Sequence, residues 1–158
     1  MPLGRDLAIK EIMRRCYTIK TENGFNVSIN RVVRNPKTEP HVEDMPLINI
    51  FESDDFTIKK SQRGAKVPPA YGRKLEVWLE SWIEATKEGK SSEEIIYFLQ
   101  ALRTVLFRDG ITLGANVIEF NEMQTSRIYR PDIGDVVIGI GTLYEVVFVE
   151  DFSKSLIS

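Results

Sequence analysis

Cysteine is nearly absent from this chain of 158 residues: Cys16 stands alone. A single cysteine excludes an intramolecular disulfide and a zinc site built on cysteine. It also fits a reducing, cytoplasmic setting. Histidine is equally scarce, with His41 as its one member. Long apolar runs are missing too, and none approaches the roughly 18 residues of a membrane span. Met1 to Arg15 carries charges every few positions and no apolar h-region, so it does not read as a signal peptide. Net charge is only −2, which excludes the strong positive field of a general nucleic-acid trap. No repeat, low-complexity tract or linker divides the chain, so one domain is expected over 1–158.

What is present is periodicity. Leu7, Ala8, Ile9, Ile12, Met13 and Cys16 recur at helical spacing and predict a helix from about Asp6 to Ile19, stopped by Asn23-Gly24. Val27, Ile29 and Val33 suggest a first strand, ended by Asn35-Pro36. Lys37 to Asp44 reads as a loop. Leu47 to Phe51 is a near-continuous apolar run, as in a central, covered strand. Phe56 to Lys60 suits a short strand, and Ser61 to Arg73 a proline- and glycine-bearing loop.

Lys74 to Glu84 alternates with period two. Leu75, Val77, Leu79 and Ile83 share one face; Glu76, Trp78, Glu80, Trp82 and Glu84 share the other. Lys87 to Lys90 makes an exit turn. Ser91 with Glu94 fits a capping box, followed by Ile95, Leu99, Leu102 and Leu106 on one helical stripe and by Asp109-Gly110 as a stop. Val117 to Glu122 predicts a strand, and Arg130 to Gly134 a turn. Val136 to Val149 predicts a bent strand or a hairpin pivoting near Gly139-Ile140-Gly141. Few connections are crossover helices. The expected fold is α+β: a mixed, mostly antiparallel sheet flanked by two main helices, in the order α-β-β-β-α-β-β.

No residue set reads as a catalytic, cofactor or metal site. His41 lies in a polar loop without a nucleophile nearby in sequence. Cys16 sits on an apolar helix face and reads as buried. Glu52, Asp54 and Asp55 lack the spacing of a calcium loop and read as a solvated acidic turn. Gly139-Ile140-Gly141 is not a phosphate loop, because no helix follows it. Its glycines leave either a bend or room for Trp78 or Trp82 on a neighbouring strand. The basic residues Lys59, Lys60, Arg63, Lys66, Arg73 and Lys74, with Tyr71, bracket the proline loop. They read as a solvated loop or as a docking loop for a protein partner. Trp78 and Trp82 are either covered by a helix or part of a subunit interface, where tryptophan is enriched.

Taken together, these elements resemble the tail terminator (tail-completion, minor tail) proteins of long-tailed bacteriophages and prophages. The resemblance runs through the first helix, the strand Pro46 to Phe51 with its acidic exit Glu52 to Asp55, and the alternating strand Leu75 to Ile83. It continues in the capped helix Ser91 to Phe107 with Arg108-Asp109-Gly110, the Thr112 to Ala115 turn, and the closing strand Leu143 to Val149. It implies a structural virion protein and not an enzyme. Such a protein caps the tail tube, ends its polymerisation and forms the surface on which the head docks. It implies a homo-oligomeric ring, typically a hexamer, with the tail-tube protein and a head-connector or neck protein as partners. DNA would only pass through the lumen, and no membrane or cofactor is involved. The place implied is the virion tail, assembled in the bacterial host cytoplasm. Pro68-Pro69 and the charged 87–90 turn suit a head–tail connector or neck protein equally. A small nucleic-acid-binding module or enzyme, built from His41, Tyr71 and the basic loop, is the reading from another class.

Overall fold

A computed structural model describes residues 4–60, 70–84, 91–114, 117–130 and 137–151, with backbone only at 59–60, 91–92 and 127–130. The first helix, α1, spans Gly4–Cys16. Its start is fixed from far away in sequence: the Gly4 N–H donates to the buried Glu150 carboxylate at 2.8 Å. A carboxylate there satisfies an orphan amide and complements the positive end of the helix. The helix ends three residues before the expected Ile19, and Thr18 turns its hydroxyl back to the Arg15 carbonyl. Asn23-Gly24 instead closes a short 3-10 turn, with Gly24 in the left-handed region.

The strands are β1 (Arg31–Arg34), β2 (Leu47–Glu52), β3 (Phe56–Lys60), β4 (Ala70–Glu84), β5 (Val117–Arg130) and β6 (Val137–Asp151). They form one six-stranded sheet in the order β1-β2-β4-β6-β5, with β3 paired to β4 beside the end of β2. Only β1 and β2 run parallel; the other pairs are antiparallel. This is the mixed, mostly antiparallel α+β layout expected. Several boundaries differ. β1 begins at Arg31, leaving Val27 and Ile29 outside it. β4 starts at Ala70, so 70–73 is strand, while the loop reading over 61–69 and the 87–90 turn lie outside the described residues. β5 runs eight residues past Glu122. β6 is one strand paired along its length with β4, and its glycines make no hairpin pivot.

The second helix, α2, spans Ser91–Leu106. Its predicted stripe is fully or almost fully buried, with Phe98 between Ile95 and Leu99. Both helices lie on the face of the sheet that carries Ile50, Leu75, Val77, Leu79, Tyr144, Val146 and Phe148, and together these side chains make the core. Each fully buried Leu, Ile or Phe there contributes about 1.5–3 kcal/mol. Phe120 bridges Phe107 and Tyr144 with ring centroids 5.0 and 4.9 Å apart, tying β5 to the end of α2 and to β6. Arg15 locks the two helices together. It is buried, donates to the Leu106 carbonyl at the C-terminal end of α2, and pairs with Glu11 and Asp109. Cys16 is fully buried beside it, and burial pushes the thiol up to about 12.

Candidate functional site

The face of the sheet turned away from the helices is organised by β4 itself. Trp78, Glu80 and Trp82 stand two residues apart, so period two places them in a row. One carboxylate serves both indoles. Trp78 Nε1 donates to Glu80 Oε2 at 3.0 Å, and Trp82 Nε1 donates to Oε1 at 3.3 Å. The rings lie against the backbone of β6. A Cβ on Gly139 would sit 2.8 Å from the Trp82 ring, and one on Gly141 only 1.9 Å from Trp78 Cζ2. The two glycines therefore make room for the two indoles, one each. Neither helix covers this face, contrary to the simpler of the two expectations for it. Trp82 is 2% exposed, its row completed by buried Leu47 on β2. Trp78 is half-buried and is the more exposed of the two tryptophans.

Beside the clamp, a cavity of about 210 Å³ opens between the 36–40 segment and the sheet. Asn49 is buried at its lining, opposite Glu80 in register, and its Oδ1 has no hydrogen-bond partner among the described residues. Val33 and Leu47 supply the apolar wall, and Arg31 pairs with Asp44 at the rim.

In the acidic exit of β2, Glu52 and Asp55 form a brace, whereas Asp54 is exposed as expected of a solvated turn. Glu52, its side chain 3% exposed, takes Arg34 Nε at 2.7 Å and Arg34 Nη2 at 2.9 Å. It also takes Arg5 at 3.2 Å and Asn35 Nδ2 at 2.6 Å. Burial pushes its carboxyl up, but the hydrogen bonds from Arg34 and Asn35 outweigh burial and hold it below the usual carboxylate value. The chain of charges continues from Arg34 to Asp6 and from Arg5 to Asp55. It joins α1, β1, β2 and the turn before β3. Among the described residues no group of three His, Cys, Asp or Glu side chains is arranged to hold a metal ion.

Of the basic residues read as a solvated loop or a docking loop, Arg73 and Lys74 have described side chains and stand on opposite faces of β4. Arg73 pairs with Asp55 at 3.3 Å and lies 5.4 Å from the Tyr71 ring centroid. Lys74, on the tryptophan face, pairs with Glu145 at 2.7 Å and sits over Phe56. Glu145 holds the Lys74 ammonium above its ordinary value. Lys59 and Lys60 belong to β3, and their side chains lie outside the described residues, as do Arg63 and Lys66 altogether. His41 is exposed and precedes a short 3-10 turn at Val42–Asp44. No described helix is long and apolar enough to cross a membrane.

Glu80 as the bridge between the tryptophans was open to prediction from spacing alone. The Glu52 brace was not, because its partners Arg34 and Arg5 lie 18 and 47 residues away. Comparison of the chain with models of known protein families and with curated proteins finds no match.

Proposed function

We propose that this protein is a tail terminator: a structural virion protein that assembles as a ring, caps the tail tube and offers the completed end to the head. The observation that carries the reading is the sheet face opposite the two described helices, fixed by the Trp78–Glu80–Trp82 clamp. A stop to polymerisation is a mechanical task. It needs a surface complementary to the last tube ring, held in shape before the tube arrives, so that little ordering cost falls on docking. The clamp gives that stiffness with no described helix over it. A half-buried tryptophan within it is the residue type that anchors protein interfaces. The order of helices and strands, with two helices on one face of a mixed sheet, supports the same reading.

In this reading the ring contacts the tail-tube protein on one side and a head-connector or neck protein on the other. DNA passes through the lumen without being held, in keeping with a net charge of −2. The test is tube polymerisation in the presence and absence of the chain, with tube length measured by electron microscopy. Capped tubes of limited length are expected. Tubes of unchanged length, with binding to the head-side connector instead, would move the protein to the neck.

A further inference from the structure

Besides the short β1, which pairs only with β2 through four residues, two longer strands of the sheet have a neighbour on one side only among the described residues: β3, paired with β4, and β5, paired with β6. They lie at the same level on opposite edges. Phe56 of β3 is in register with Lys74 of β4, Lys74 with Val147 of β6, and Val147 with Glu119 of β5. At this level the sheet is four strands wide, so the edges are roughly 14 Å apart. Both edges carry large apolar side chains that the chain itself leaves half exposed: Phe56 and Ile58 at 50% and 51%, Ile118 and Met123 at 56% and 55%. They also differ in charge. β3 ends in Lys59-Lys60, whereas the first half of β5 holds Glu119 and Glu122 and no basic residue.

We infer that the protomers of the proposed ring join edge to edge, β3 of one copy adding to the first half of β5 of the next. The inference rests on the ring reading above. An unpaired strand edge is a template for another strand, with main-chain hydrogen bonds giving affinity. Different patches meeting head to tail generate a ring when the rotation closes. Edges at one level let each copy follow its neighbour without a shift along the axis, which closure requires. The β5 register is regular from Glu119 to Glu122 and shifts on either side, between Val117 and Glu119 and between Glu122 and Gln124. That regular run is about as long as β3, and the flanking irregularities discourage longer, indiscriminate pairing. Two-fold pairing of β5 with itself would close at two copies and leave Phe56 and Ile58 of β3 uncovered.

The experiment is cross-linking by a short bis-maleimide in the presence of the tail-tube protein. It uses Ile58→Cys, Ile118→Cys and the double variant. Cys16 is fully buried and contributes no background. The expected result is a ladder of oligomers from the double variant, ending at a closed ring, with no cross-linked product from either single variant. A cross-linked dimer from Ile118→Cys alone would overturn the inference in favour of β5 self-pairing. A wild-type ring with no cross-link in the double variant would overturn it while leaving the ring reading intact. A wild-type chain that neither self-associates nor binds tubes would overturn the ring reading beneath it.

Discussion

The two faces of β4 solve the same problem by opposite means. On one face Leu75, Val77, Leu79 and Ile83 are buried under two helices, and their order comes from close packing within a shared core. On the other face Trp78, Glu80 and Trp82 have no described helix above them. Their order comes from two missing side chains on β6 and one shared carboxylate. The covered face is committed to stability. The other face is stiff and leaves Trp78 and Glu80 partly exposed, which suits a docking surface.

Mutations sharpen the contrast. Leu79→Ala opens a cavity in the covered face and should cost about 2–5 kcal/mol in denaturant unfolding; a cost under ~1 kcal/mol would mean the helix layer is not packed as described. Gly141→Val drives a side chain into the Trp78 ring. The 1.9 Å approach places it at the upper end of the ~1–3 kcal/mol typical of overpacking. Gly139→Val, at 2.8 Å, should cost less, and a reversal of that order would break the assignment of one glycine to each indole. Glu80→Ala leaves the N–H of buried Trp82 without an acceptor, worth about 1–3 kcal/mol. Glu80→Gln keeps an acceptor and should fall in between. A red shift in tryptophan emission on Glu80→Ala would report loosening of the open face, with far-UV circular dichroism unchanged.

The smallest effect is on pH, and it belongs to the covered side. The Arg14 guanidinium, opposed by partial burial and aided by Arg15, holds Glu11 at about 2, against an ordinary value of 4.5. The folded carboxyl is the more acidic, so its stabilisation is complete above 4.5 and fades as pH falls from there through about 2. Glu11→Gln should remove part of the acid sensitivity of thermal unfolding in that window. An unchanged acid profile would show that the pairing of Glu11 with Arg14 and Arg15 within α1 adds nothing to stability.

The covered face was legible in the sequence because alternation and helical stripes are local patterns: Leu75 to Ile83 and Ile95 to Leu106 both fall where expected. The row Trp78–Glu80–Trp82 was legible for the same reason. The length of β5 was not, because Gln124-Thr125-Ser126 lies on an edge strand and shows no apolar alternation. A hairpin in β6 stayed open because two glycines in a strand resemble a pivot; room for the indoles, the other reading of those glycines, is what they provide. The Glu52 brace and the contact from Gly4 to Glu150 depend on partners distant in sequence, and no local spacing encodes them.

The central claim is that the open face and the free edges serve assembly. The most direct measurement is the mass of the purified protein by light scattering, alone and after mixing with the candidate tail-tube protein. A chain of 18.1 kDa is expected to reach a closed ring, alone or at tube ends, and Trp78→Ala is expected to weaken binding to the tube without unfolding the chain. A persistent monomer that leaves tubes uncapped, or a Trp78→Ala variant that binds tubes as well as the wild type, would contradict the account.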